Sequence, residues 1–268
     1  MKKYLKFTGK SKFKLFGFIP ARMAATRFPG KPLKKILGKP MIEHVFKRAS
    51  LFKGWKKLYL TTCDKEIRNF SKSKNIPYIM TSKKHKRCLD RIYEAALKKK
   101  KLIRNQDIII CVQGDEPMMR PEMIKNVIKP FFKKDNVLGT VLAMDIISKD
   151  QFYDKNIVKI IHDENDEVLY TSRSPIPYTE KFNKGIKAKR IYGIFAFRWE
   201  FLKKFYKLPM SNLEILESCD SNRICDNGRG QFIARQKYLP SFSVDCPADL
   251  KKVEKFIKKD FFLKKYIN

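Results

Sequence analysis

The chain predicts an α/β fold with a mostly parallel central sheet, and three observations carry that expectation. Two unbroken apolar runs, Leu15-Phe16-Gly17-Phe18-Ile19 and Ile108-Ile109-Ile110-Cys111-Val112, read as strands buried on both faces, as parallel strands between helical layers must be. Segments of strand and helix period alternate through the first half of the chain in a βαβ rhythm. The 268 residues, 43% of them hydrophobic, suffice for one large domain with a real core.

The first strand stops at Pro20. After the turn Ile36-Leu37-Gly38-Lys39-Pro40, the apolar positions Met41, Ile42, Val45, Phe46 and Ala49 recur at helical spacing, and Pro40 suits the first residue of that helix. Lys57-Leu58-Tyr59-Leu60-Thr61-Thr62 is the next strand, residues 65–74 the next helix, and Pro77-Tyr78-Ile79-Met80 a short third strand. Cys88-Leu89-Asp90-Arg91 opens a helix continued by Ile92, Ala95, Ala96 and Leu97, with Asp90 near the positive end of its dipole. Residues 121–132 read as one helix and 139–144 as a further strand. The composition then changes: residues 156–161, 168–173 and 190–197 are strand-like runs joined by turns, a meander rather than βαβ units. Residues 213–223 read as an acidic helix, Asp245 as the end of a strand, and Pro247 as the start of a last helix with Leu250, Val253, Phe256 and Ile257 on its apolar stripe. The expected organisation is a basic leader at 1–14 and a single domain over 15–268, with 150–200 as a subdomain for substrate and subunit contact.

Sixty Lys plus Arg against 27 Asp plus Glu give a formal charge of +33, which points to an anionic partner. The excess is mostly Lys, scattered along the chain together with Phe, Ile, Asn and Tyr, as AT-rich codons would produce; an anionic small substrate arrives faster in such a field. Six cysteines without CxxC spacing and three distant histidines outline neither a zinc site nor a disulfide framework. No segment approaches the roughly 20 apolar residues needed to cross a bilayer, so a cytoplasmic protein without membrane partners is expected.

Chemistry concentrates in the loop after the first strand, Pro20-Ala21-Arg22-Met23-Ala24-Ala25-Thr26-Arg27-Phe28-Pro29-Gly30-Lys31-Pro32-Leu33. Arg22, Arg27 and Lys31 surround small residues and one glycine, so the loop is either a basic surface turn or an anion cradle, and two prolines and a glycine stiffen it as a cradle requires. Asp115, in Gln113-Gly114-Asp115-Glu116-Pro117, follows the most apolar strand, where ligands gather in open α/β sheets. A carboxylate there either holds Mg²⁺ against a polyphosphate or caps the turn at Gly114. Arg91 either faces a nucleotide or is a solvated helix residue. By helical spacing Glu214 and Glu217, with Asp220 and Ser221 less closely, share a face that either reads sugar hydroxyls or pairs with surface lysines.

The loop resembles the nucleotide-binding signature of the enzymes that make CMP-activated acidic sugars, most closely the 3-deoxy-manno-octulosonate cytidylyltransferases. Their pattern runs Pro-Ala-Arg, two variable residues, Ser-Thr-Arg, one residue, then Pro-Gly-Lys-Pro-Leu, and Ala25 replaces the serine here. Gln113-Gly114-Asp115-Glu116-Pro117, Ser172-Arg173-Ser174-Pro175-Ile176-Pro177 and Val244-Asp245-Cys246-Pro247-Ala248-Asp249-Leu250 resemble three further family motifs, the last with Cys246 for threonine. Arg87-Cys88-Leu89 stands where the family has a Ser-Gly-Thr turn, and Ile191 and Phe195 where Kdo-specific members have a histidine and a tyrosine.

The resemblance implies a three-layer, Rossmann-like nucleotide-diphospho-sugar transferase fold with a strand-rich dimerisation arm. It implies transfer of CMP from CTP to Kdo (the 2-keto-3-deoxy sugar acid of the family name) or a close relative, for cell-surface polysaccharide or lipopolysaccharide synthesis, by a cytoplasmic, Mg²⁺-dependent homodimer. Pro20, Ala21, Arg22, Ala25, Thr26, Arg27, Lys31, Arg91 and Asp115 would bind CTP, and Asp115 and Asp245 the metal. Arg22, Lys31 and the two aspartates would be catalytic; Gln113, Arg173, Phe195, Glu214 and Glu217 would bind the sugar, Arg173 through the sugar carboxylate. Two other readings stay open: an acylneuraminate or other nonulosonate cytidylyltransferase, and a basic nucleic-acid-binding protein.

Overall fold

A computed structural model describes residues 13–25, 27–228 and 230–267. The first strand, β1 (Leu15–Pro20), leads through a small hairpin of β2 (Lys35–Ile36) and β3 (Lys39–Pro40) into α1 (Met41–Ser50). β4 (Trp55–Thr62), α2 (Lys65–Ser73), β5 (Tyr78–Met80), α3 (Cys88–Leu97) and β6 (Ile108–Val112) complete the βαβ half. Then follow α4 (Pro121–Ile128), α5 (Pro130–Lys133), β7 (Gly139–Asp145), α6 (Lys149–Tyr153), β8 (Lys159–His162), β9 (Val168–Ser172) and β10 (Lys189–Arg198). The chain ends with α7 (Trp199–Lys207), α8 (Asn212–Glu217), α9 (Asp220–Asp226), β11 (Gln231–Gln236) and α10 (Pro247–Ile257).

Nine strands form one sheet, in the order β11-β7-β10-β6-β1-β4-β5, with β8 and β9 attached beside β10. β1 runs parallel to both β4 and β6, while β10 is antiparallel to its neighbours. The mostly parallel sheet is thus as expected, and the central runs show why. In β1, Leu15 and Ile19 join the core under α1 and α4, whereas Phe16 and Phe18 join the core under α3 and α7. In β6, Ile108, Ile110 and Val112 face the first layer and Ile109 and Cys111 the second. Both faces are buried, so neither strand tolerates the alternation of a half-exposed one. At Gly17 a Cβ would lie 2.5 Å from Leu58 and 2.9 Å from Trp55, so only glycine lets those side chains cover β1.

Several elements differ from the sequence reading. The single helix expected over 121–132 divides into α4 and α5, because Pro130 has no N–H to donate and starts a new turn. The acidic helix over 213–223 is also two helices, separated where Ser218 takes a left-handed φ of 51°. β10, read as the last strand of a meander, lies in the middle of the sheet between β6 and β7. Asp245 does not end a strand: it sits in an irregular segment whose Val244 N–H donates to the Asp115 carbonyl at 2.9 Å. Of the leader, residues 1–12 lie outside the described residues, whereas Phe13 is buried against Phe131. Among the described residues no helix is long and apolar enough to cross a membrane.

Candidate active site

Because β1 and β6 are adjacent and parallel, the loops leaving them emerge side by side at the carboxyl edge of the sheet. They approach closely: a Cβ on Gly114 would fall 2.6 Å from the Pro20 carbonyl oxygen, so the backbones meet where a side chain cannot fit. The basic loop is shaped by Gly30, which takes φ +70°, and by the Met23 N–H, which donates to Asp64 Oδ2 at 2.8 Å. Between the loops opens a cleft of about 660 Å³.

Eleven residues expected from the sequence line this cleft: Pro20, Ala21, Arg22, Ala25, Arg27, Lys31, Arg91, Gln113, Asp115, Arg173 and Asp245. Thr26 lies outside the described residues. Its centre is Lys31, whose ammonium donates to Asp115 Oδ2 at 2.9 Å and to the Val244 carbonyl at 2.6 Å, with Asp245 Oδ1 3.6 Å away. Arg27 reaches Asp245 Oδ1 at 2.9 Å and Asn156 Oδ1 at 2.6 Å. Burial pulls the Lys31 ammonium down, but Asp115 and then Asp245 more than restore it, so it stays above the ordinary lysine value. Burial, and next the Asp115 charge, push the Asp245 carboxyl up. Two carboxylates close enough to repel, already bridged by one cation, suit Mg²⁺, which takes one or two protein carboxylates and completes its shell with waters and phosphate oxygens. No cluster of three or more His, Cys, Asp or Glu able to hold a metal occurs among the described residues.

Arg91 is not solvated. It is 3% exposed, with Nη1 donating to Thr81 Oγ1 at 2.6 Å and Nη2 to the His85 carbonyl at 3.3 Å. Gln113 is held between Cys88, whose sulfur accepts from Nε2 at 3.4 Å, and Gly193. Beneath it Glu116, pushed up to about 7 by burial and then by Asp115, accepts from Ser243 Oγ at 2.7 Å and the Gly193 N–H at 3.2 Å. A Cβ on Gly193 would come within 2.6 Å of Gln113 Oε1 and 2.9 Å of Glu116. Gly193→Ala is therefore expected to cost about 1–3 kcal/mol by overpacking, and to displace Gln113 with a fall in turnover. Thermal unfolding and steady-state rates of the same sample check both effects.

Three expected sugar-binding residues are absent from the cleft lining. Phe195 is buried in the core under α3 and α7, its backbone paired with Cys111. Glu214 is fully buried, with Oε1 and Oε2 accepting from Arg223 at 2.6 and 2.7 Å. Glu217 turns the other way, accepting from the Arg173 N–H at 2.7 Å, from Ser172 Oγ at 2.6 Å and from Tyr170 at 3.1 Å. The left-handed turn at Ser218 separates Asp220 from the pair that helical spacing had aligned with it, and tertiary partners draw Glu214 and Glu217 apart.

The cleft also includes residues the sequence reading did not select. His85 and Arg87 before α3 and Cys88 at its first residue line the cleft, as do Lys155, Asn156 and Ser218. His85 pairs with Glu94, which the Lys98, Ser82 and His85 donors hold down to about 2 despite burial. Arg87 lies 3.6 Å from Glu214 Oε1. The place of Arg87-Cys88-Leu89 at a family motif was the signal for the stretch before α3, and nothing local marks Asn156 or Ser218.

Comparison with known proteins bears on the fold and the family. A cytidylyltransferase family model matches residues 16–264. The 3-deoxy-manno-octulosonate cytidylyltransferase of Thermodesulfovibrio yellowstonii is 40% identical over 245 residues, 88% of this chain and 95% of that protein. The enzyme of the same name from Haemophilus influenzae is 34% identical over 252 residues, 90% and 98% of the two chains. Among solved structures, CMP:2-keto-3-deoxy-manno-octonic acid synthetase complexed with CTP superposes with a TM-score of 0.81 at 31% identity, covering 92% of this chain and 99% of that one. A 4-diphosphocytidyl-2C-methyl-D-erythritol synthase, at 12% identity and a TM-score of 0.63, shares the fold alone. In fold, in motif and in sequence along most of its length, the chain belongs to the 3-deoxy-manno-octulosonate cytidylyltransferase family.

Proposed function

We propose that this protein transfers CMP from CTP to Kdo, releasing pyrophosphate. The observation that carries the reading is the Lys31 ammonium set between Asp115 and Asp245 at the edge of the sheet, with Arg27 on the outer side of Asp245. The names of the relatives and the CTP bound to the solved relative support the substrate pair.

In this reading the anomeric hydroxyl of the sugar attacks the α-phosphate in line, and catalysis rests on placement and charge neutralisation. Arg22, Arg27 and Lys31 grip the triphosphate and steady the departing pyrophosphate. Asp115 and Asp245 would hold Mg²⁺, which when bound neutralises phosphate charge and lowers the pKa of the attacking hydroxyl. Arg173 meets the sugar carboxylate: main-chain carbonyls of Glu217 and Lys155 hold its Nε and Nη1 at 2.9 and 3.0 Å, so its charge is presented to the cleft. Gln113 offers an amide in the same cleft. Exposed Tyr178, Ile215 and Leu216 support a homodimer, and use of CTP supports a cytoplasmic enzyme.

Pyrophosphate release from CTP and Mg²⁺ is expected with Kdo, and far less with its amino-substituted form or an acylneuraminate offered in parallel. Turnover with one of the other sugars alone would move the assignment to that sugar. Salt-sensitive polynucleotide binding without saturable CTP binding would overturn the enzyme reading.

A further inference from the structure

We propose that Lys159 is a positioning residue for sugar binding: from beneath the cleft its buried ammonium ties the turn at residues 154–157 to the backbone of Arg173 and sets the spacing of the rim. The inference rests on the reading of Arg173 as the residue that meets the sugar carboxylate.

Lys159 is fully buried on β8, one of very few lysines withdrawn from water among the described residues. Its Nζ donates to three main-chain carbonyls, those of Asp154 at 2.9 Å, Ile157 at 2.7 Å and Arg173 at 2.6 Å. An ammonium has three N–H groups, so all of them are used, as a buried charge requires. The first two carbonyls bracket Lys155 and Asn156, which line the cleft, and the third belongs to Arg173 itself. The turn reaches the nucleotide loop as well, because Asn156 accepts from Arg27 at 2.6 Å. From the other side Glu217 accepts the Arg173 N–H, and the Lys155 carbonyl accepts from Arg173 Nη1. Arg173 is thus clamped at its N–H, its carbonyl and its guanidinium, and Lys159 joins its carbonyl to the turn.

The surroundings also make the clamp sensitive to pH. Burial pushes the Lys159 ammonium down to about 8, with Asp154 and Glu217 raising it and Arg173 lowering it. On β9 its register partner is the uncharged Ser172; on β10 it is Arg190, whose guanidinium turns to the Ser241 carbonyl and lies over Tyr192. A neutral amine keeps two N–H groups for three carbonyls, so one bond of the clamp is lost on deprotonation. Stability moves the other way. The folded pKa of about 8 is below the ordinary lysine value of 10.5, so the unfolded chain binds the extra proton between those values and this group adds stability as pH rises through that window.

Two measurements test the proposal. The first is hydrogen–deuterium exchange of the unliganded protein, full chain, at residues 154–158 and 173, comparing wild type with Lys159→Gln; it needs no sugar, so it remains decisive if the Kdo reading fails. Exchange in the variant is expected to quicken there about tenfold or more, with the rest of the sheet unchanged. The second is steady-state kinetics from pH 7 to 9. The KM for the sugar is expected to climb through pH 8 in wild type and to sit about tenfold higher, without that limb, in Lys159→Gln, while the KM for CTP changes little. Unaltered exchange at the rim, or a sugar KM flat across pH 7 to 9 in wild type, would overturn the proposal. If Lys159→Gln does not fold, the wild-type pH series decides alone, because a merely structural lysine predicts no change in KM while stability holds. An absence of turnover with any sugar in wild type would count against the proposed function, and the exchange result would still judge Lys159.

Discussion

Asp115→Asn is expected to lower turnover by about a hundredfold to a thousandfold while leaving the fold intact. The side chain lies at the end of β6 and is 30% exposed, so the change removes charge rather than packing. An amide oxygen keeps the volume but brings no negative charge and would hold a divalent cation far more weakly, and the Lys31 ammonium loses the nearer of its two carboxylates, retaining Asp245 at 3.6 Å. Pyrophosphate release with Mg²⁺ at saturating CTP and sugar measures the effect, and circular dichroism confirms the fold. Near-normal turnover would remove Asp115 from the chemistry altogether.

The second large effect is on stability. Glu214→Ala is expected to destabilise the protein by about 3–5 kcal/mol, because it strands a buried guanidinium. Arg223 is 2% exposed and bonds both oxygens of Glu214, and beyond them Asp90 Oδ1 at 3.1 Å, with its plane over the Phe205 ring at 4.4 Å. Burial lowers the guanidinium pKa, but Glu214 and then Asp90 outweigh it and hold the group above the ordinary arginine value. Removing Glu214 leaves Asp90, whose side chain is 16% exposed, to answer that charge. Urea unfolding should show the loss at unchanged slope, while the sugar KM of the folded fraction stays close to wild type. A raised sugar KM with unaltered stability would return Glu214 to the sugar site.

The contrast between these two carboxylates shows what could be read from the chain. Asp115 stands in a short motif directly after a strand buried on both faces, and both features are local. Glu214 also stands in an acidic, helix-like segment, and its spacing to Glu217 looked like a binding face. Periodicity describes where side chains point along one regular helix; it does not foresee a left-handed Ser218, nor that Arg223 waits nine residues ahead in a dry layer. Phe195 fails for a related reason. The alternation of β10 is the same for an arm strand and for a central one, and only its place beside β6 decides that this ring faces the core. Pro130 is the opposite case, since a missing N–H is written in the residue itself and the break between α4 and α5 could have been foreseen.

By itself the sequence determined the kinds of elements and picked out the polar residues of the two main loops that line the cleft, because buried strands require continuous apolar runs and a short stiff loop keeps its basic residues close together. Tertiary structure alone decided which of those groups face one another. Lys31 meets Asp115 across 84 residues and Arg27 meets Asp245 across 218. It also decided that Glu214 serves the core and Glu217 the clamp on Arg173, and that Lys159 lies beneath the rim. The physical reason is that such pairings depend on strand order and on the side chain each buried charge finds when water is excluded, quantities that belong to the packed chain and to no segment of it.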